Sequence, residues 1–393
     1  MLDAREPDTD PRDHANLSVG THRREPVRVA HCICPTGVYG AERWIQSLFR
    51  HLDPRAVSSN VLVLGSKPGA LSAHRFFVEH GVRAVHIDKG GRLNPAAVVE
   101  LQRFIRRERI EILHTHGFKS DVYGFVATKR MPIWLVTTPH GWSAVEGWRI
   151  AAYESFGRLF TKRFDRVYPL SRGLESDLIR RGYRRERVRL VLNGVDDELL
   201  KPIYAERTQG RRTPSGVLAF VGRICEDKGV LDLVEAFAMA RLPRETALWF
   251  VGEGPAGEQL ARRSTQLGLD GRVRLRGFMK EIADVLRVAD ALILPSYSEG
   301  LPRVLMEAGA AGVPIVATDL PGIRELVRHD HNGVLVPVAD PASLGKAIER
   351  VYDEPEFMAR LAINARQTID TDFTSERQAR EFEDEYWGLA RGS

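Results

Sequence analysis

Cysteine is scarce in this chain, with only Cys32, Cys34 and Cys225 among 393 residues. Three cannot build a disulfide framework, and without a C-x-x-C pair they suggest no structural zinc; a reducing, cytoplasmic setting is the expectation. Cys32 and Cys34 alternate along a predicted strand and read as packing residues. No apolar run approaches the roughly 18–20 residues of a membrane span. The first 25 residues are polar, carry proline and mixed charge, and lack the apolar core of a signal peptide, so they read as a disordered tail.

Hydrophobic residues at 43% and charged residues at 28% describe a soluble globular chain, long enough for about two domains. The net charge of +5 is unevenly spread. Residues 26–205 carry roughly +12, residues 206–393 roughly −5 and the tail roughly −2. A basic first half suits phosphate, acidic sugar or anionic lipid, or is simply a solvated arginine-rich surface.

Hydrophobic patterning predicts strands at Val27–Ile33, Ser59–Leu64, Ala84–Ile87, Ile112–Thr115, Ile133–Thr137, Arg166–Pro169 and Val188–Leu192, with helical stretches between most of them. The polar stretch 201–216, with Pro202, Gly210 and Pro214, reads as an interdomain linker. The pattern then restarts at Val217–Val221, Ala247–Val251, Val273–Arg276, Ala291–Pro295, Ile315–Ala317 and Gly333–Val336. Predicted helices follow near Gly229–Ala240, Glu258–Leu267, Glu281–Val288, Arg303–Ala311, Ile323–Val327 and Pro341–Asp353. Repeated βα alternation implies parallel sheets covered on both faces. The expected fold is therefore two tandem Rossmann-like α/β domains, at 26–200 and 217–372, with a cleft between them. A C-terminal helical segment at 373–393 bears Phe382, Tyr386 and Trp387 and is free to pack back on the first domain. Open sheets of this kind bind ligands beyond the carboxyl ends of their strands.

Gly252-Glu-Gly254-Pro-Ala-Gly257 matches the G-x-G-x-x-G dinucleotide pattern. That reading needs an acid at the end of the next strand, where Arg276-Gly277-Phe278 stands instead. A tight turn in which glycines permit close approach is the plainer reading. Elsewhere, Arg223 and Lys228 follow the strand ending at Val221 and precede a helix. Two cations beside free helix N–H groups make a diphosphate site. After the strand ending at Pro295, Glu299 lies in a loop and Glu307 about one turn inside the next helix. Gly300, Leu301 and the backbone N–H groups that follow can face an anion.

These motifs resemble the donor half of the family-4 retaining glycosyltransferases of the GT-B fold. The likeness rests on Arg223 with Lys228, the Gly252–Pro255 turn, Arg276-Gly277-Phe278 and Glu299-Gly-Leu-Pro-Arg-Val-Leu-Met-Glu307-Ala. It continues through Gly312-Val-Pro314, Pro321-Gly322-Ile-Arg-Glu325 and Asn332–Pro337. The resemblance implies that Arg223 and Lys228 neutralise the donor diphosphate beside Gly222 and Gly252. It gives Glu307 the ribose hydroxyls and Glu299 the transferred sugar. It sets Phe278 and Met279 at the base, and has Val304 and Leu305 offer backbone N–H groups to phosphate.

In the first domain, the loop Cys34–Gly40 occupies the place of a family Gly-Gly-Ala/Val-Glu loop that lies beside donor phosphates and acceptor. Tyr39 replaces the first glycine and is either an acceptor-stacking ring or packing. His114 and His116 point to one face of a strand end, and His140 follows the next strand. A metal bound by these histidines lacks a nearby carboxylate or cysteine, so no metal is assigned. The resemblance favours His116 at the transferred sugar or acceptor, with His140 second; Lys119 and Ser120 add an anion contact at a helix start.

The implied reaction moves a hexosyl or N-acetylhexosaminyl group from a nucleotide diphosphate sugar to an acceptor hydroxyl, with retention. No Asp-x-Asp pair stands beside a suitable strand, so cations are expected to do a metal's work and no cofactor is expected. Expected partners are the donor, a glycan or lipid-linked acceptor and an anionic membrane surface, with no nucleic acid. A peripheral position on the inner membrane face would follow for an enzyme of cell-surface polysaccharide synthesis. The cluster Arg103-Phe-Ile-Arg106-Arg107 and the stretch Arg149–Arg166 could lie on a bilayer or be core helices with charged backs. A GT-B epimerase or phosphorylase and a non-enzymatic sugar-nucleotide binder remain the alternatives.

Overall fold

The computed structural model describes residues 25–89, 94–140, 160–209, 215–279 and 281–392. Two six-stranded parallel sheets carry the architecture. The first contains β1 (Val27–Ile33), β2 (Val57–Leu64), β3 (Ala84–Ile87), β4 (Ile112–His116), β5 (Trp134–Thr137) and β6 (Arg166–Val167), in the order β3-β2-β1-β4-β5-β6. The second contains β7 (Val217–Val221), β8 (Ala247–Val251), β9 (Val273–Gly277), β10 (Ala291–Leu294), β11 (Ile315–Thr318) and β12 (Val334–Val336), in the order β12-β11-β10-β7-β8-β9. Both orders are the doubly wound Rossmann order, so each sheet has a switch point where the winding reverses: between β1 and β4, and between β7 and β10. Central strands such as ALIL of β10 and IVAT of β11 are buried throughout, as strands covered on both faces must be.

Three segments differ from their sequence pattern. Val188–Leu192 forms no ladder beyond one bridge to Val167. Its amides pair with the Val167 and Pro169 carbonyls, but Pro169 has no N–H to return. The stretch read as a linker begins as the helix Lys201–Thr208, with its proline in the first turn where the missing N–H costs nothing. Ile203 is fully buried, and the Arg207 guanidinium donates to the carbonyls of Gly312, Leu286 and Ala289. The helix Pro355–Asp372 follows Pro341–Asp353 with only Glu354 between them, so no loop signal marks it.

The chain crosses between domains twice, where Val195 N–H donates to Phe373 and Ser375 N–H to Val195. Beside this crossing, buried Arg366 holds Asp197 at 2.6 Å and the Ala310 carbonyl at 2.8 Å. The C-terminal helix Ser375–Arg391 then packs on the first domain. Phe382 and Tyr386 are fully buried there with Trp44, Ile45 and Leu48. In the basic cluster 103–107, Phe104 and Ile105 point into the core, so this is a core helix with a charged back. Of the stretch 149–166, residues 149–159 lie outside the described residues, and Phe160 packs against Phe125 at 5.1 Å.

Candidate active site

The carboxyl edges of the two sheets face each other. Glu325, beyond β11, accepts hydrogen bonds from the backbone N–H groups of Arg172 (2.7 Å) and Gly173 (2.6 Å), which open the helix Arg172–Arg180 beyond β6. A carboxylate at a helix N-terminus meets both unpaired donors and the positive end of the helix dipole. The same corner reaches the Glu299 loop. A Cβ at Gly322 would lie 1.6 Å from the Gly300 carbonyl oxygen, so only glycine allows this backbone contact.

On the second-domain edge, the loops after β7 and β10 are joined at the switch point by the Tyr297 N–H on the Asp227 carbonyl, 2.8 Å. This brings Lys228 and Glu299 together. Lys228 Nζ donates to Glu299 Oε1 at 2.7 Å, and Ser296 Oγ donates to the same oxygen at 2.7 Å. Arg223 is exposed on the same loop, and both cations act electrostatically on Cys225 between them. Glu307 is the fifth residue of the helix Arg303–Ala310 and is held by Arg303 Nε at 3.0 Å, not by the Lys228 pair. That helix rests on Pro355–Asp372, where Gly309 meets Ile369. The unpredicted helix therefore backs Glu307.

The backbone donors sort differently from the expectation. Leu305 N–H already donates to the Pro302 carbonyl at 3.1 Å, so Val304 is the first-turn donor left of that pair. Gly300 is exposed and Leu301 half-buried against the core. Gly222 N–H donates to Val251 and Gly252 N–H to Gly277, so neither N–H is open to a ligand. Gly252 has φ +133°, and a Cβ there would stand 2.0 Å from the Gly222 oxygen. The glycine turn thus serves close packing of the β7 and β8 loops. Phe278 is 70% exposed, a ring free to stack, beside half-buried Met279. Arg276 lies over the Trp249 ring at 4.5 Å.

On the first-domain edge, Tyr39 is extended (φ −129°) and needs no glycine; its ring is 66% exposed and lies against Gly37. Gly40 opens the helix Gly40–His51 with open space around it, and Glu42 in that first turn accepts the Tyr39 N–H at 2.8 Å. Lys119 is half-buried at the start of the helix Phe118–Thr128, near Cys34, whose thiol burial pushes up to about 12 despite the lysine's charge. Ser120 is fully buried and donates to the Gly117 carbonyl, so it is not an open anion donor.

The histidines are more numerous here than their spacing revealed. Register pairs His31 of β1 with His114 of β4 across the switch point. His31 Nδ1 lies 3.0 Å from His116 Nε2, and His116 Nδ1 lies 3.1 Å from His140 Nε2. His114 Nδ1 meets the Tyr386 hydroxyl at 2.6 Å and its Nε2 meets Thr138 Oγ1 at 2.8 Å. Burial disfavours the charged ring, lowering His31 to about 3 and holding His114 and His116 well below the ordinary range. His116 is 4% exposed with both nitrogens engaged, whereas His140 is exposed. The ring presented to the cleft is therefore His140. Ligand nitrogens of His31, His114 and His116 lie within 4.8 Å of one another. An ion at the usual distance of about 2.0–2.1 Å from each would have to displace the partners they already have. Sequence missed His31, although a lone histidine in the apolar run VRVAHCI was a visible signal.

Two doubly wound sheets with facing carboxyl edges, one lined with cations and carboxylates and the other with neutral rings, define a two-domain enzyme of the GT-B class. Residues 205–368 match the family described as glycosyl transferases group 1, and residues 38–199 match glycosyltransferase family 4. A D-inositol 3-phosphate glycosyltransferase of Thermobispora bispora is 30% identical over 294 residues, 69% of each chain. The UDP-Gal:alpha-D-GlcNAc-diphosphoundecaprenol alpha-1,3-galactosyltransferase of Escherichia coli is 24% identical over 384 residues, 93% of this chain and 97% of that one. Among solved structures, Anabaena HepE in complex with UDP and glucose superimposes with a TM-score of 0.77 at 22% identity, covering 91% of this chain and 99% of that one. The chain belongs to the family-4 glycosyltransferases, and it is a nucleotide-sugar-dependent glycosyltransferase.

Proposed function

We propose that this enzyme moves a hexosyl or N-acetylhexosaminyl group onto an acceptor hydroxyl with retention of anomeric configuration. The observation that carries the reading is the second switch point, where Lys228 pairs with Glu299, exposed Arg223 lies on the same loop as Lys228, and the helix Arg303–Ala310 that follows carries Glu307. In the reaction the bond from C1 to the diphosphate oxygen breaks. The bond from the acceptor oxygen to C1 forms on the same face, and the acceptor proton passes to the departing phosphate oxygen. Arg223 and Lys228 meet the charge that develops on the diphosphate, the task a metal performs elsewhere. Preorganised donors of this kind are worth about 3–4 kcal/mol each. Glu299 is bound by Lys228 and Ser296, which suits it to accept sugar hydroxyls rather than attack C1. Glu307 takes the ribose hydroxyls, Phe278 and Met279 the base, and Val304 and Gly300 the phosphate oxygens. His140 contacts the sugar or acceptor, with His116 supporting it from behind. Tyr39 and Lys119 border the acceptor.

The acceptor in this reading is a lipid-linked glycan, as the Escherichia coli relative's name states for that enzyme. No helix among the described residues is long and apolar enough to cross a membrane. Peripheral docking on the inner membrane face would use the first domain, where Val99, Val126 and Trp134 as well as Arg103, Arg107 and Arg130 are exposed. Sugar-nucleotide consumption measured over UDP- and GDP-sugars, with and without a polyprenyl-diphosphate sugar, tests the reaction. Acceptor-dependent nucleotide release with a retained product anomer is expected; acceptor-independent epimerisation would overturn it. Co-sedimentation with vesicles should rise with anionic lipid content, and no dependence counts against docking.

A further inference from the structure

The four histidines and Tyr386 form one continuous line of contacts. From the cleft inward it runs His140 Nε2 to His116 Nδ1 (3.1 Å), His116 Nε2 to His31 Nδ1 (3.0 Å) and His31 Nε2 to Tyr386 Oη (3.4 Å). It continues from Tyr386 Oη to His114 Nδ1 (2.6 Å) and from His114 Nε2 to Thr138 Oγ1 (2.8 Å). Burial keeps the inner rings neutral, and a neutral imidazole has one donor and one acceptor nitrogen. Each ring must then pass on the polarity it receives, and the tyrosine hydroxyl, with one proton, must do the same. Only two arrangements satisfy every link: all four histidines carry the proton on Nε2, or all four carry it on Nδ1.

Thr138 selects between them. It is fully buried, and among the described residues its hydroxyl has no hydrogen-bond partner but His114. Were His114 Nε2 to donate, the Thr138 proton would be buried without an acceptor, at a cost of about 1–3 kcal/mol. Thr138 therefore donates to His114 Nε2, His114 Nδ1–H to Tyr386, Tyr386 to His31 Nε2, and so on outward. The last ring, His140, is left with an N–H on Nδ1 and no further partner among the described residues.

We propose that Tyr386 and the buried His31, His114 and His116 are positioning residues that lock His140 as a neutral Nδ1–H donor toward an oxygen of the sugar or acceptor. This rests on the reading of His140 as the cleft-facing ring. It makes the returning C-terminal helix part of the active-site machinery as well as a strut, because its Tyr386 is the one link between His31 and His114 along the line. It also assigns His140 a donor's role and removes it as the base for the acceptor proton.

The test reads tautomers directly. Long-range proton–nitrogen correlation spectra of the full chain, with nitrogen-15 histidine and single His→Gln variants for assignment, should show the Nδ1–H form at all four positions at neutral pH. That is the opposite of the Nε2–H form that predominates for a free side chain. An Nε2–H form at any of the four in the native chain overturns the proposal, and so does a pattern that changes when EDTA strips a bound ion. Tyr386→Phe keeps the ring and removes the hydroxyl. It should release the common tautomer and lower kcat at least about tenfold with donor KM within about twofold. Phe382→Leu loosens the same helix and thins the ring packing on His114 and Tyr386 but removes no hydrogen-bonding atom of the line, so it should retain both the tautomers and most of kcat. Equal losses in the two variants would mean that the helix acts by packing alone. The donor for these rates is whichever of UDP-glucose, UDP-galactose, UDP-N-acetylglucosamine and GDP-mannose supports nucleotide release. Failure of all four to turn over would overturn the function reading, while the spectra decide the tautomers without substrate.

Discussion

Lys228 and Glu299, 2.7 Å apart and mostly buried, hold each other in place at the second switch point. Glu307 is held by Arg303 one helical turn away. The two carboxylates therefore should fail differently when changed. In the proposed function, Glu307→Ala removes hydrogen bonds to ribose hydroxyls. Charge-assisted bonds are worth about 1.5–3 kcal/mol, so donor affinity should fall roughly 10- to 100-fold by calorimetry while turnover at saturation changes little. In the same proposal, Lys228→Met removes charge stabilisation that matters most as the diphosphate departs, so kcat should fall about 10²- to 10³-fold. Equal effects on binding and turnover in the two variants would refute the division of roles. Most of this donor edge was legible in sequence, because each residue stands just after a strand that can be read from its own apolar run. The ring line was not. His31 meets His114 only through the pairing of β1 with β4, and Tyr386 arrives from 272 residues away.

At the scale of elements, the loops beyond the strands are set by backbone contact. Gly322→Ala would drive a methyl group to 1.6 Å from the Gly300 oxygen. The Glu299 loop must then shift, costing about 1–3 kcal/mol. Donor affinity should drop, with only a modest fall in melting temperature. An unchanged affinity would show that the contact is slack. The paired strands β1 and β4 make a second prediction. Their buried histidines have folded values depressed below the unfolded one near 6.5, so the stability they contribute is present above pH 6.5 and is lost as pH falls toward the folded values. From pH 7 to 5.5 the three rings should remove about 1 kcal/mol each. Asp121 opposes them. Burial raises it to about 7 despite hydrogen bonds from Thr115 and Thr137, so its stabilising proton is gained on acidification and returns about 1–2 kcal/mol. Urea unfolding should therefore show a net loss of about 2 kcal/mol over that range. Stability that is flat or rising toward pH 5.5 would mean that these rings are not buried neutral. Strands were the most legible elements. The helix Pro355–Asp372 escaped notice because a single residue separates it from its predecessor, and the helix Lys201–Thr208 because proline and charge resemble a linker until Ile203 is seen to be buried.

At the scale of the molecule, both Rossmann units follow from repeated βα alternation, but their mutual placement depends on contacts that no local pattern encodes. Glu325 capping the helix Arg172–Arg180 is one of these, and it joins the two carboxyl edges. Glu325→Ala should weaken closure by about 1–3 kcal/mol, widening the radius of gyration in solution scattering and raising donor KM. No change in scattering would show that the two crossings and the C-terminal helix alone fix the arrangement. Beneath all of this lies the proposed placement of a pyrophosphate-linked sugar at the β7–β10 switch. Thermal shift of the native chain and of the double variant Lys228→Met/Glu307→Ala, over a panel of UDP- and GDP-sugars, tests it most directly. At least one sugar nucleotide should raise the melting temperature of the native chain and leave the double variant unmoved. A panel that shifts neither protein, or both equally, would contradict it.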